Sequence, residues 1–321
     1  SCSDEKHPGI QYALIIHGGA GNSLTPENVL PAARDSLTAK LNEAIDKGLQ
    51  ILSKGGSSVD AVEAVIVVLE DSPLFNAGKG SVFTHDSTNE MDASIMNGQN
   101  LNAGAVAGVM DIKNPIKAAR KVMEDSPFVF LSGEGASAFA GSEGLELVDP
   151  YYFYTERSFR RLQKSLEEEK SEADTTAPEK FGTVGCVALD VNGNLCAGTS
   201  TGGMTNKRYG RIGDSPVIGA GTYANNTTCG VSSTGHGEYF IRYCVAHDIS
   251  SMMAYMHLQV KEAAKRVIQD KLKPAGGEGG VICLDKTGNY AVEFNTRGML
   301  RAYGNSNGER FVKIFARTDD Q

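Results

Sequence analysis

"GCVALDVNGNLCAGTSTGGM" (185–204) and "GVICLDKTGNYAVEFNTRGM" (280–299) align without a gap, sharing a leading Gly, Leu-Asp, Gly-Asn and a closing Thr-x-Gly-Met. Each reads as a β-hairpin: an apolar run, an Asp-x-x-Gly-Asn turn and a second apolar run. Two such hairpins in one chain predict two stacked antiparallel sheets. Helical patterns before and between them must then cover the outer faces. The order of elements therefore points to a four-layer α/β/β/α sandwich of the α+β class.

Working outward, "YALIIHGGAG" (12–21) predicts a short apolar strand running into a glycine turn. Residues 30–56 carry apolar side chains at helical spacing and stop at Gly55-Gly56. Ser57 and Asp60 have capping-box spacing ahead of "AVEAVIVVLE" (61–70), a helix with so little polar face that it should be deeply buried. "MDASIMNG" (91–98) and "NAGAVAGVM" (102–110) read as paired strands, followed by helices around 115–123 and 133–140. From about 157 to 182 the chain begins as a helix candidate and ends as a charged tract with almost no apolar residues. Such a tract cannot offset its ordering entropy, so a mobile linker is expected. Neither flank carries a complete sheet, so residues 1–182 and 183–321 are expected to form two halves of one structural domain.

With 321 residues, 40% apolar and 22% charged, the chain can build a large globular core. A net charge of −8, a pI near 5.4 and the absence of a Lys/Arg cluster argue against a nucleic-acid partner. No apolar run reaches the roughly 18–20 residues that span a bilayer. The six cysteines show no CxxC or metal-ligand spacing, and Cys186, Cys196, Cys244 and Cys283 read as small buried hydrophobes. Cys2, followed by Ser-Asp-Glu, would suit the lipid anchor of a bacterial envelope protein; an incidental cysteine and a cytoplasmic location stay equally open.

The glycine-rich turns invite a nucleotide reading. "GAGTYA" (219–224) and "HGGAG" (17–21) nevertheless lack the strand–turn–helix setting with a downstream acid, and no Gly-x-x-x-x-Gly-Lys-Ser/Thr occurs, so tight turns are their expected use. His-x-x-x-His is also absent, which argues against a catalytic zinc. Many hydroxyls lie in glycine-rich surroundings without an evident general base, which points to a nucleophile that supplies its own. An N-terminal threonine does so, because its α-amine titrates near ~7.7–8. In "EKFGTVGCVALD" (179–190), Gly182 offers an unhindered carbonyl to the Thr183 hydroxyl, and a cut there frees the Thr183 amine. In "RIGD" (211–214), Arg211 and Asp214 lie within roughly 10 Å of chain. Opposite charges so close suit a zwitterionic amino acid, with Arg forking its carboxylate, although read alone the pair is a surface ion pair of little worth. "STG" (233–235) alone is an ordinary turn, whose Gly235 would also let a backbone N–H approach an oxyanion.

"GTVGCVALDVNGNLCAGTSTGGMTNKRYGRIGDSPVIGAGTYANN" (182–226) and "SSTGHGEYFIR" (232–242) resemble the plant-type asparaginase/isoaspartyl peptidase family of Ntn-hydrolases. "IIHGGAG" (15–21), "LFNAGKGSVFT" (74–84) and "MDASIMNG" (91–98) extend the resemblance over nearly the whole chain. It implies an αββα fold, self-cleavage between Gly182 and Thr183, and an (αβ)₂ heterotetramer. It also implies Thr183 as nucleophile, Thr201 as its hydroxyl partner, Thr234 and Gly235 as oxyanion donors, and Asn76 as a residue ordering the nucleophile. Substrate contacts would come from Arg211, Ile212, Gly213, Asp214, Thr234, Gly235, His236 and Gly237, with Arg211 on the α-carboxylate and Asp214 on the α-ammonium. The loop from Leu69 to Lys79 resembles the family's sodium loop, in which the backbone carbonyls of Leu69, Glu70, Ser72, Phe75, Ala77 and Lys79 would hold a structural Na⁺. No catalytic cofactor is implied.

The activity implied is hydrolysis of L-asparagine to aspartate and ammonia, and of β-aspartyl dipeptides, through a β-aspartyl-threonine ester. Two related groups differ at single positions: glycosylasparaginases resemble "TSTGG" with Asn in place of Gly202, and threonine aspartases depart at the acidic residue that is Asp214 here. A non-cleaving amino-acid-binding relative is the remaining reading.

Overall fold

The computed structural model describes residues 9–170 and 182–316. The expectations placed on Cys2 and on residues 171–181 lie outside the described residues. In chain order the elements are β1 (Ala13–Gly21), α1 (Pro31–Ser53), α2 (Ser58–Glu70), β2 (Met91–Asn97), β3 (Ala103–Val109), α3 (Pro115–Asp125), β4 (Phe130–Ser132), α4 (Gly133–Ser142) and α5 (Glu156–Lys170). After residue 182 follow β5 (Val184–Leu189), β6 (Leu195–Thr201), β7 (Thr222–Ala224), β8 (Cys229–Gly235), α6 (Gly237–Arg242), α7 (Val245–Met256), α8 (Val260–Lys265), β9 (Gly279–Asp285), β10 (Tyr290–Phe294), β11 (Gly298–Asn305) and β12 (Arg310–Phe315). No helix among the described residues is long and apolar enough to cross a membrane.

The strands form an eight-stranded sheet, β12-β11-β1-β5-β6-β2-β3-β4, and a four-stranded sheet, β10-β9-β8-β7. The two echoing hairpins are β5–β6 and β9–β10, one in each sheet. Their shared Asp has the same task in both turns. Asp190 Oδ1 accepts from the N–H groups of Asn192 and Asn194, and Asp285 Oδ1 from those of Thr287 and Asn289. Each carboxylate thus satisfies the turn's backbone donors.

Alternate residues of the strands feed different cores. Leu14 and Ile16 of β1 pack beneath α1 and α2, whereas Ala13 and Ile15 face the second sheet. Val281 and Cys283 of β9 pack beneath α7 and α8, whereas Ile282 and Leu284 face the first sheet. Both faces of these strands are buried, so they read as unbroken apolar runs rather than as polar–apolar alternation. Helices α1 to α4 cover the large sheet and α6 to α8 the small one, which completes the four layers. The capping-box reading of α2 is met: Ser57 Oγ accepts from Asp60 N–H at 3.1 Å and donates to Asp60 Oδ2 at 2.7 Å.

Three expectations change. Residues 18–21 are not a turn but the end of β1, which carries a bulge between His17 and Gly19 and still pairs with β11. Glycine is needed there for close approach, because a Cβ on Gly18 would lie 2.7 Å from the Phe75 ring. The linker is ordered up to Lys170: α5 buries Leu162 and sets Phe159 edge-on against Phe83, a one-sided apolar stripe within a very polar segment. Cys244 is exposed in a left-handed conformation between α6 and α7, and it is Cys229, on β8, that joins the buried cysteines.

β5 lies between β1 and β6. Two strands from after residue 183 therefore lie between β1 and β2, which precede it, while β11 and β12 add the far edge beyond β1, and neither stretch of chain contains that sheet alone.

Candidate active site

The β5–β6 register places Val184 opposite Ser200, so Thr183 and Thr201 meet at one end of the hairpin. Thr183 is buried, and its hydroxyl donates to Thr201 Oγ1 at 3.1 Å. The Thr201 hydroxyl donates to the Gly182 carbonyl at 3.1 Å. Asn76, in the loop after α2, donates from Nδ2 to the carbonyls of Gly182 and Gly203, each at 2.7 Å, and its Oδ1 accepts from Val82 N–H at 3.0 Å. Those three partners leave one orientation for the amide, since only its oxygen can meet an N–H. The Gly182 carbonyl thus sits between two donors, an arrangement suited to negative charge on that oxygen. A Cβ at residue 182 would lie 2.7 Å from Asn76 Cβ, which explains the glycine before Thr183.

The substrate loop completes the cleft, which Thr183, Thr201, Arg211, Gly213, Asp214 and Gly235 line together. Arg211 Nε and Nη2 each reach Glu238 carboxylate oxygens at 2.9 Å, leaving the Nη1 edge of the guanidinium to other ligands. Gly213 and Gly237 make room for that group: a Cβ would come 2.8 Å from Nη1 at the first and 2.7 Å from Nη2 at the second. Burial works to raise the Glu238 carboxyl, but the Arg211 guanidinium overrides it and holds the group below its ordinary value. Asp214 behaves oppositely. Burial pushes its carboxyl up to about 7, against the pull of its own backbone N–H and of Arg211.

Asp214 Oδ2 and Thr234 Oγ1 are buried without a hydrogen-bond partner among the described residues. Orphaned polar atoms at a cleft mark where a polar ligand would be satisfied. Gly235 has φ +154, and a Cβ there would stand 2.4 Å from the Glu278 carbonyl, so glycine alone fits.

Four expected contacts, Ile212, Thr234, His236 and Gly237, are not among the residues that line the cleft. Ile212 is 40% exposed. His236 is the residue just before α6, with Nε2 3.5 Å from Glu238 Oε2 and its ring edge-on to Tyr239.

In the loop expected to hold sodium, Glu70 turns its side chain inward, where Oε1 accepts from Ser200 Oγ at 2.7 Å and from Ile116 N–H at 3.0 Å, and burial pushes the carboxyl up to about 8. The Lys79 ammonium docks on the Tyr152 carbonyl and over its ring. The backbone curls tightly: a Cβ on Gly78 would meet the Glu70 carbonyl at 2.5 Å, and one on Gly80 the Phe75 carbonyl at 2.0 Å. No cluster of three or more His, Cys, Asp or Glu suited to a metal occurs among the described residues. What this loop offers a cation is carbonyl oxygen, a donor set that fits a hard alkali ion.

Two residues in this region escaped the sequence reading. His17 donates from Nδ1 to the Thr183 carbonyl at 3.1 Å, and Glu238 holds Arg211. Both stand in the quoted motifs "HGGAG" and "GHGEYF", but nothing in either motif names the partner.

Comparison with known proteins places the chain in a family. The family model described as "Asparaginase" matches residues 10–314. An isoaspartyl peptidase of Escherichia coli K12 is 48% identical over 91% of this chain and 92% of its own length. An isoaspartyl peptidase/L-asparaginase of Rattus norvegicus is 42% identical over 90% of this chain and 85% of its own. A probable isoaspartyl peptidase/L-asparaginase of Arabidopsis thaliana is 40% identical over 95% of this chain and 99% of its own. With one family model spanning nearly all of it, and relatives this similar over most of their own lengths, the chain belongs to the asparaginase/isoaspartyl peptidase family of Ntn-hydrolases.

Proposed function

We propose that this protein is a self-maturing amidohydrolase that converts L-asparagine to aspartate and ammonia and cleaves β-aspartyl dipeptides, using Thr183 as an N-terminal nucleophile. The observation that carries this reading is the Thr183 hydroxyl bonded to Thr201 while Thr201 and Asn76 both donate to the Gly182 carbonyl. The relatives' names, isoaspartyl peptidase and isoaspartyl peptidase/L-asparaginase, support the substrate class. Gly202 supports it against the glycosylasparaginase reading. A Cβ there would lie 2.6 Å from Asn76 Oδ1 and 2.7 Å from Ser81 Cβ, so an Asn would displace the residue that holds Gly182.

In maturation, Thr183 Oγ1 attacks the Gly182 carbonyl carbon. Its proton passes to Thr201 Oγ1 while the Thr201 proton moves to the Gly182 oxygen, so no external base is needed. The adduct collapses by breaking the C–N bond, with its hydroxyl proton going to nitrogen, and leaves an ester on Thr183 Oγ1 and a free amine. Water hydrolyses the ester and releases the Gly182 carboxylate.

In the mature enzyme the Thr183 amine takes the hydroxyl proton as Oγ1 attacks the substrate's β-carbonyl. Arg211 holds the α-carboxylate through its free Nη1 edge, and Asp214 Oδ2 takes the α-ammonium. Thr234 Oγ1 and the Gly235 N–H face the oxyanion. The adduct collapses by breaking the substrate C–N bond, the proton held by the Thr183 amine passing to the leaving nitrogen as ammonia or an amino acid departs, and water then cleaves the β-aspartyl ester to release aspartate. Residues up to 182 and from 183 onward stay together as two halves of one interleaved domain, and two such pairs form the (αβ)₂ assembly. A sodium ion on the carbonyls of the loop from Leu69 to Lys79 would stiffen the segment that carries Asn76, and no chemical step passes through it.

The test is intact mass and a denaturing gel of wild-type and Thr183→Ala protein, with asparagine, a β-aspartyl dipeptide and a glycosylated asparagine as substrates. Wild type should give two fragments divided before residue 183 and turn over the first two substrates; Thr183→Ala should stay whole and inert. A Thr183→Ala chain that still divides there removes the mechanism.

A further inference from the structure

One histidine and four hydroxyls form a polar seam through the otherwise apolar core between the sheets. His17, Ser94, Thr199, Thr222 and Ser232 are all fully buried. Strand register explains how they meet. His17 is opposite Gly185, Gly185 opposite Thr199, and Thr199 opposite Ser94, so they make one row across the large sheet. Thr222 and Ser232 are opposite each other on the small sheet. Gly185 leaves the gap into which the second row fits: a Cβ there would stand 2.0 Å from Ser232 Oγ and 2.3 Å from His17 Nε2.

The chain of bonds is continuous from nucleophile to substrate loop. His17 Nδ1 is 3.1 Å from the Thr183 carbonyl and Nε2 2.9 Å from Ser232 Oγ. Ser232 Oγ is 2.7 Å from Thr199 Oγ1, which lies 2.5 Å from Thr222 Oγ1. Ser94 Oγ is 2.8 Å from Thr222 Oγ1 and 2.6 Å from the carbonyl of Ser215, the neighbour of Asp214.

A carbonyl can only accept, so His17 must carry its proton on Nδ1, and its Nε2 must accept from Ser232. Each hydroxyl has one proton. Ser232 has spent its own, so Thr199 donates to Ser232 and Thr222 to Thr199, while the Ser94 proton serves both Ser215 and Thr222. Burial, acting against the bond to Thr183, pulls the His17 imidazole down to about 3, so it stays neutral and this order holds at working pH.

We propose that His17 is a positioning residue for the nucleophile: oriented by the hydroxyl seam, it fixes the Thr183 carbonyl and thereby aims the Thr183 amine and hydroxyl at the cleft. The seam also ties that setting to Ser215, so nucleophile and ammonium site are held in one register. This rests on the assignment of Thr183 as nucleophile. His17 touches neither substrate nor reacting atoms in this role, so its loss acts on turnover rather than on substrate affinity.

The test is steady-state kinetics with asparagine, per cleaved chain, for His17→Ala, His17→Asn and His17→Gln in the full-length protein. An Asn amide can stand where Nδ1–H stood, whereas a Gln amide reaches toward Ser232. Expected are a kcat about tenfold or more lower in His17→Ala with KM within about twofold of wild type, and recovery to within about threefold in His17→Asn but not in His17→Gln. A merely space-filling histidine would not separate Asn from Gln in this way. The proposal is overturned by a His17→Ala kcat within about twofold of wild type, by a loss confined to KM, or by equal kcat in the Asn and Gln variants. Should His17→Ala not be recovered cleaved, the Asn–Gln comparison alone decides. Thr183→Ala in parallel separates the two claims: if it stays whole while His17→Ala is fully active, only the positioning role fails.

Discussion

Replacing Asn76 by Asp probes the self-cleavage geometry with little change of shape. Asp keeps the oxygen that accepts from Val82 N–H at 3.0 Å, so the loop after α2 retains its anchor. It puts a second oxygen where Nδ2 stood, facing the Gly182 and Gly203 carbonyls at 2.7 Å. One of the two donors to the developing oxyanion is lost, and removal of a single such donor slows a reaction by about 10²–10³-fold, or ~2.7–4 kcal/mol. Because the new carboxylate repels the same oxyanion, the loss belongs at the upper end, about a thousandfold. The residual rate rises as pH falls, since a protonated Asp can again donate one hydrogen bond. The assay is the first-order appearance of the two fragments on a denaturing gel from freshly synthesised chain, with a melting curve to show that the precursor is folded. A folded Asn76→Asp precursor that matures within about tenfold of the wild-type rate would refute the donor role.

The elevated Asp214 carboxyl, at about 7, predicts proton-linked ligand binding. Below that pH the free site holds a proton that an ammonium must expel, so L-aspartate binding to mature protein weakens about tenfold per pH unit with one proton released. Calorimetry in buffers of different ionisation enthalpy checks this, and a flat Kd from about pH 5 to 8 would rule it out. Glu238→Gln loses the two-pronged hold on the Arg211 edge. Because the Glu238 side chain is 46% exposed, the effect is that of a screened pair, and KM for asparagine should rise about two- to fivefold with kcat little moved. A tenfold fall in kcat at unchanged KM would show instead that Glu238 acts on the chemical step.

Local pattern was enough for much of this protein. The repeated hairpins announced two sheets because turn chemistry and strand period are written in adjacent residues. The Gly182-Thr183 junction and the opposite charges of Arg211 and Asp214 pointed to the proposed chemistry only within the longer family-like motifs, since read alone each is an ordinary local feature. Pattern failed where a distant partner decides. The glycines after His17 looked like a turn; they extend β1 because Phe75 and Thr183, far away in sequence, lie against them. The tract from about 157 read as a helix candidate running into a mobile linker, yet α5 is ordered through Lys170 because Phe159 docks against Phe83. Cys244 looked buried from its neighbours, but its place between two helices exposes it.

His17 meets Thr183 across 166 positions, and Glu238 meets Arg211 across 27. The sequence by itself therefore determined the layers and the family, and marked the residues proposed for the cleavage junction and the substrate's charges. Only the tertiary structure decided which residues hold those groups in place, because such partners are selected by strand register and packing between segments that share no local pattern.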